Sequence, residues 1–131
     1  MKINESIEAG IKVFGEVYGE AMEQGIRQTV QSDDDFNALH AGWSMELPFG
    51  QLWTREEQMS RRDRSLAVLG MMIGLQQPEE VKYHTKMGLA NDLTREEIAE
   101  VFLSSIPYCG FAIANTAKAA IMAAFKELDG Q

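Results

Sequence analysis

A single cysteine, Cys109, leaves the chain unable to form an internal disulfide, a zinc-finger spacing or a dithiol redox pair. Two histidines, His40 and His84, have no defined ligand spacing with other candidate donors, so no metal site is expected. Basic residues are in deficit: 12 Lys and Arg stand against 20 Asp and Glu, a net charge of −8. That balance argues against nucleic acid and against an anionic membrane surface as partners. The longest apolar run, Leu66–Leu75, is too short to span a bilayer. The first ten residues, MKINESIEAG, lack the apolar core of a secretory signal, so cytoplasm is the expected location. No segment alternates apolar and polar residues with period two, which leaves an all-α fold.

What is present is ordinary globular material. Apolar residues make up 45% of the 131, enough for one core, and residues 1–131 read as one domain. The pattern predicts about six helices. Ile7, Ile11, Phe14, Val17, Tyr18, Ala21 and Met22 recur at helical spacing, so Glu5–Thr29 reads as one helix, weakened by Gly10, Gly15, Gly19 and Gly25. Phe36–Leu47 is the second, with His40 as a structural residue near its middle and Pro48 ending it. Ser60–Gln76 is nearly apolar all round from Leu66 to Ile73 and should be the buried central helix. Pro78 suits the first position of a helix over 78–90. Thr94-Arg95-Glu96-Glu97 is a capping box that opens a helix ending near Pro107, and an Ala-rich helix fills 109–128.

The charge is uneven. Residues 1–60 carry 11 acids and 4 bases, residues 61–86 carry 3 and 5, and residues 87–131 carry 6 and 3. The basic island therefore falls on Arg61, Arg62 and Arg64, at a helix start where the backbone dipole prefers anions. A local rule broken in this way is a hint of function. Downstream, Glu80 and His84 are four apart and share a helix face. A carboxylate, an imidazole and guanidinium groups suit acid–base work on a small anion, although a solvated pair and a basic helix start explain the same spacing.

Trp53, Arg61-Arg62-Asp63-Arg64-Ser65-Leu66, Glu80-Val81-Lys82-Tyr83-His84, Leu93-Thr94-Arg95-Glu96-Glu97-Ile98, Tyr108-Cys109-Gly110 and Asn115, in this order and spacing, resemble the carboxymuconolactone decarboxylase family. The similarity reaches back to Gly10-Ile11-Lys12-Val13 and Glu16-Val17-Tyr18-Gly19-Glu20, and so covers almost the whole chain. The resemblance implies an all-α fold assembled as a ring, a trimer or a hexamer. The alkyl hydroperoxidase-like branch carries Cys-x-x-Cys-x-x-x-His; counting back from His84, its thiols would fall where this chain has Gln77 and Glu80. Thiol peroxidase chemistry then has no nucleophile here.

The decarboxylase branch implies a cofactor-free loss of CO2 from 4-carboxymuconolactone or a related small anionic lactone in aromatic catabolism. On that resemblance His84 is the acid or oxyanion donor, Glu80 tunes it, and Arg64 or Arg62 holds a carboxylate. Trp53 and Tyr108 keep the site dry, and Gln51 stands at the pocket wall where those enzymes tend to have Glu. Ala112 replaces a proline, Asp92 a glycine, and Arg55-Glu56-Glu57-Gln58 an Arg-Pro-Gly turn. The alternatives are an oligomeric binding protein that has kept the pocket without the chemistry and, on weaker grounds, a peroxide-related redox protein.

Overall fold

The computed structural model describes residues 1–130. Among them there are seven α-helices, a π-helical stretch and no strand, in agreement with the all-α expectation. The chain divides into two compact units, Met1–Ser60 and a second that begins at Arg61.

The first unit holds α1 (Glu5–Tyr18), α2 (Glu20–Val30), α3 (Asp35–Ser44) and the π-helical stretch Met45–Leu52. The single long helix expected over residues 5–29 is two helices. Gly19 separates them at φ +99°, a conformation that L side chains rarely adopt, and its N–H still closes α1 on the Gly15 carbonyl at 2.7 Å. Asn4 caps α1 by accepting from the Ile7 N–H at 2.9 Å, and its amide donates to Glu46 at 2.9 Å. Arg27 of α2 donates to both Glu8 oxygens of α1, at 2.6 and 2.9 Å. That bidentate grip holds the Glu8 carboxyl below its usual pKa, and burial opposes it.

Pro48 does not end the second predicted helix. The chain continues from α3 into wider π turns, in which the Trp53 N–H reaches the Pro48 carbonyl five residues back at 2.9 Å. The wider turn gives the proline ring room that an α-helix denies it. The stretch packs against α1 through Gly10 and Gly50. A Cβ on Gly10 would lie 2.7 Å from the Met45 carbonyl carbon and 2.9 Å from the Gly50 nitrogen. Ile7, Ile11, Val30, Ala41 and Met45 form the core, with Phe14 set edge-on to Phe49 at 5.4 Å.

The second unit holds α4 (Arg61–Gly74), α5 (Pro78–Ala90), α6 (Arg95–Cys109) and α7 (Phe111–Asp129). Leu69, Ile73, Val81, Leu93, Ile98, Ala117, Ala120 and Ile121 make its core. The predicted capping box is formed: Thr94 Oγ1 accepts from the Glu97 N–H, and Glu97 Oε1 accepts from the Thr94 N–H, each at 3.0 Å. Pro107 lies inside α6, which runs on to Cys109 and ends at Gly110, φ +95°. Cys109 is half-buried. The expectation that α4 is buried all round also fails within this unit. Ser65, Leu69 and Ile73 are buried and Leu66 and Met72 pack against the core, while Met71 of the same helix is 58% exposed. Small residues let α7 approach its neighbours closely: Ala114, Ala117, Ala120 and Ala124 are all buried. No described helix is long and apolar enough to cross a membrane.

Candidate functional site

The residues singled out from sequence fall in both units: Arg62, Arg64, Glu80, His84 and Tyr108 on α4, α5 and α6 of the second, Gln51 in the π-helical stretch of the first and Trp53 just after it. On α5, the i,i+4 spacing brings His84 Nε2 to 3.8 Å from Glu80 Oε2. That is within ion-pair range and too long for a hydrogen bond. The His84 side chain is 17% exposed and that of Glu80 53%. Burial pushes the imidazole pKa below its ordinary value, and the Glu80 carboxylate pulls it back up by less. Of the two influences desolvation is the larger. His84 is therefore a neutral imidazole at neutral pH.

The arginines occupy the first turn of α4. Arg61, Arg62 and Arg64 are all half-buried. Arg62 forms an ion pair with Glu97 of α6 through Nη2, and its Nη1 lies 3.5 Å from Asp63 Oδ1. Ser65, one residue after Arg64, is 1% exposed, and its hydroxyl accepts from the Asn91 side-chain amide at 3.0 Å. Asn91 is the C-cap of α5. The first turn of α4 thus meets the far end of α5, seven residues beyond His84, or roughly 10 Å along a helix axis. A molecule touching both an α4 arginine and His84 has that length to bridge with its own atoms and theirs.

Trp53 is 3% exposed. Gln51, two residues before it, is exposed. Tyr108 is 91% exposed on α6, so it shields nothing within its own unit. His40 is exposed on α3, and its backbone carbonyl accepts from Ser44 at 2.7 Å. Among the described residues there is no group of three His, Cys, Asp or Glu side chains that could hold a metal ion. An apolar groove of about 220 Å³ between α6 and α7, lined by Phe102, Leu103, Ile121, Met122 and Phe125, includes none of the candidate residues.

Residues 39–123 match the model of the carboxymuconolactone decarboxylase family. The chain belongs to that family. Two characterised relatives have different substrates in their names. One is the 4-carboxymuconolactone decarboxylase of Acinetobacter baylyi, 26% identical over 119 residues that cover 91% of this chain and 86% of the relative. The other is the nitrosuccinic acid decarboxylase of Metarhizium robertsii, 33% identical over 102 residues that cover 77% of this chain and 68% of the relative. Both are named for removal of a carboxyl group.

Three participants were not singled out from sequence as site residues. Glu97 had a complete explanation as a capping residue, so nothing marked its second oxygen as a partner for Arg62. Ser65 and Asn91 carry no charge and lie 26 positions apart, so no local pattern pairs them.

Proposed function

We propose that the chain is a decarboxylase of a small organic acid that carries a second anionic group, working without a metal or organic cofactor. The observation that supports this most directly is that two relatives with differently named substrates both remove a carboxyl group. The chemistry common to those substrates is an electron sink. In 4-carboxymuconolactone the departing carboxylate is vinylogous to the lactone carbonyl. In nitrosuccinic acid a nitro group sits beside a carboxylate. In each case the C–C bond to the carboxylate breaks, CO2 leaves, and the electron pair moves onto an acceptor oxygen as a dienolate or a nitronate. Protonation of carbon completes the reaction.

The residues divide these tasks. A guanidinium at the first turn of α4 holds the carboxylate that stays behind, since its planar fork matches a carboxylate bidentately. His84, kept neutral by burial, presents an N–H to the developing oxyanion, and as that proton goes to carbon the ring takes one from solvent water, so it is neutral before and after. A neutral imidazole donor suits an enolate better than a fully solvated imidazolium, because proton and oxyanion affinities are then closer. Glu80 limits how far burial lowers the imidazole pKa. We also propose that the chain works as a homo-oligomer, because each unit leaves large apolar side chains in water: Phe36 is 80%, Trp43 61%, Leu75 63% and Phe111 68% exposed.

The test is CO2 release from a panel of small acids, followed by NMR of the remaining product. The panel contains 4-carboxymuconolactone, nitrosuccinate, and analogues lacking either the electron sink or the second carboxylate. Turnover should require the sink absolutely and the second carboxylate for affinity. Absence of turnover across the panel, with binding retained, favours the binding-protein alternative.

A further inference from the structure

The first unit leaves one helix face in water. Phe36, Leu39, Trp43 and Leu47 follow one another at helical spacing, so they stand in one row along α3 and into the π-helical stretch. They are 80%, 40%, 61% and 66% exposed. The opposite face is buried: Ala38, Ala41 and Met45 are 2%, 4% and 2% exposed. The row is also nearly free of charge. Charged residues make up 24% of the chain, but residues 36–47 contain only Glu46, whose carboxylate accepts from the Asn4 amide at 2.9 Å. Aromatic enrichment with charge depletion marks the centre of a protein interface.

We propose that this face docks on the same face of a second copy of the chain, antiparallel about a two-fold axis. The order of the row points to that occupant. It reads aromatic, leucine, aromatic, leucine, so an antiparallel copy sets Phe36 against the partner's Leu47 and Trp43 against the partner's Leu39. The two-fold repeats both pairs, and each large ring meets a smaller side chain. Charge points the same way. At a net charge of −8, two copies repel wherever acids face acids. Asp33, Asp34 and Asp35 lie just before the row, and antiparallel docking sends the two acidic clusters to opposite ends of the contact.

The area is sufficient. At about 150–250 Å² for an exposed aromatic side chain, Phe36 and Trp43 offer about 280 Å², and the two leucines raise this to about 400–450 Å² per copy. A symmetric pair with a rim from His40 and Ser44 then buries about 1,000–1,200 Å², which is what the smallest specific contacts need. This contact gives the homo-oligomer proposed above, on whose apolar exposure it rests, a surface and a symmetry.

The experiment is sedimentation velocity on the full-length chain between about 1 and 100 μM, a range that brackets micromolar association. Two altered chains are compared with wild type. One carries Phe36→Lys and Leu47→Lys, the other Phe36→Glu and Leu47→Glu. Each alone should have half the wild-type assembly mass, because like charges then face each other across the two-fold. Mixed, they should regain the wild-type mass, since every Lys faces a Glu. A chain that folds poorly alone should fold on mixing, by circular dichroism. Trp53 is 3% exposed, so acrylamide quenching of fluorescence reports mainly on Trp43. Quenching should weaken as the wild-type concentration rises, and should not do so for either altered chain alone.

Unchanged mass in both altered chains, beside an oligomeric wild type, would overturn this contact and leave the homo-oligomer standing through another surface. Halved mass that mixing does not restore would overturn the two-fold pairing, because the row then meets a different surface of its neighbour. A wild-type chain that stays monomeric throughout would overturn both the contact and the homo-oligomer, leaving the row to a different protein.

Discussion

Four glycines in the first 25 residues look alike in sequence, and the structure gives three of them different consequences when each is replaced by alanine. Helix propensity alone favours Ala by about 1 kcal/mol at every interior helical position. Gly25 meets nothing within 4 Å of an added Cβ, so Gly25→Ala should realise that gain. Gly10 should do the opposite. Its Cβ would lie 2.7 Å from the Met45 carbonyl carbon and 2.9 Å from the Gly50 nitrogen, both backbone atoms of the π-helical stretch. No rotamer change can relieve that contact, so α1 must move away from the stretch. Overpacking of this kind costs typically 1–3 kcal/mol, at the upper end where backbone must shift. Subtracting the propensity gain leaves a net loss of about 1–2 kcal/mol. For a unit of this size that is a fall of roughly 5–15 °C in midpoint. Gly19 has open space but φ +99°, so Gly19→Ala should lose about 1 kcal/mol through backbone strain. The assay is thermal and urea unfolding by circular dichroism. A Gly10→Ala midpoint at or above wild type would refute the argument that this contact decides the sign.

Further outcomes follow from the second unit. His84→Gln should lower kcat by roughly 10²–10⁴ with a modest change in KM, because an amide donates a hydrogen bond but does not pass on a proton. The folded-state pKa of His84 is depressed below its unfolded value. Stability from this group is therefore complete above the unfolded pKa of about 6.5 and falls as pH drops from there to the folded pKa. His84→Gln should remove that part of the slope in unfolding measured against pH. Glu80→Gln removes the charge that raises the imidazole pKa, so the acidic limb of the pH–rate profile should move to lower pH. Asp92 holds φ +73°. Asp92→Val should cost about 1–2 kcal/mol in unfolding experiments, whereas Asp92→Gly should stay within about 0.5 kcal/mol of wild type. Light scattering coupled to gel filtration should give a mass several times 14.6 kDa.

Much of this fold is legible because local signals agree. Pro78 opens α5 where expected, and Thr94 and Glu97 form the capping box that their spacing predicts. The misreadings share a cause. At Gly19 a left-handed residue ends one helix and begins another without interrupting the apolar period. At Pro48 a change of hydrogen-bond register, invisible in composition, carries the helix past a residue expected to stop it. At Pro107 the helix continues to Cys109. For α4 the apolar pattern predicts all-round burial, but within its unit Met71 stays 58% exposed. The same limit holds at the site. The Glu80–His84 spacing is local and was legible, whereas the Ser65–Asn91 and Arg62–Glu97 links join separate helices and depend on how α4, α5 and α6 pack.

The resemblance to two branches with different chemistry comes down to what stands beside one imidazole. Where the peroxidase-like branch has thiols, this chain has Gln77, at the N-cap of α5, and Glu80, one helical turn before His84. A thiolate at position 80 would be a nucleophile four residues from its base. A carboxylate there, 53% exposed and 3.8 Å from the imidazole, cannot cycle between redox states as a thiol does. Its influence on His84 is electrostatic: it raises a pKa that burial has lowered. Burial of the ring and exposure of the acid therefore do opposite things to one proton, and both are needed. Without burial, the imidazole would titrate near neutrality and be charged for part of the physiological range. Without Glu80, burial would push the pKa lower still. Burial favours the neutral ring and Glu80 opposes it by less, a balance that fits the oxyanion-donor role proposed for His84.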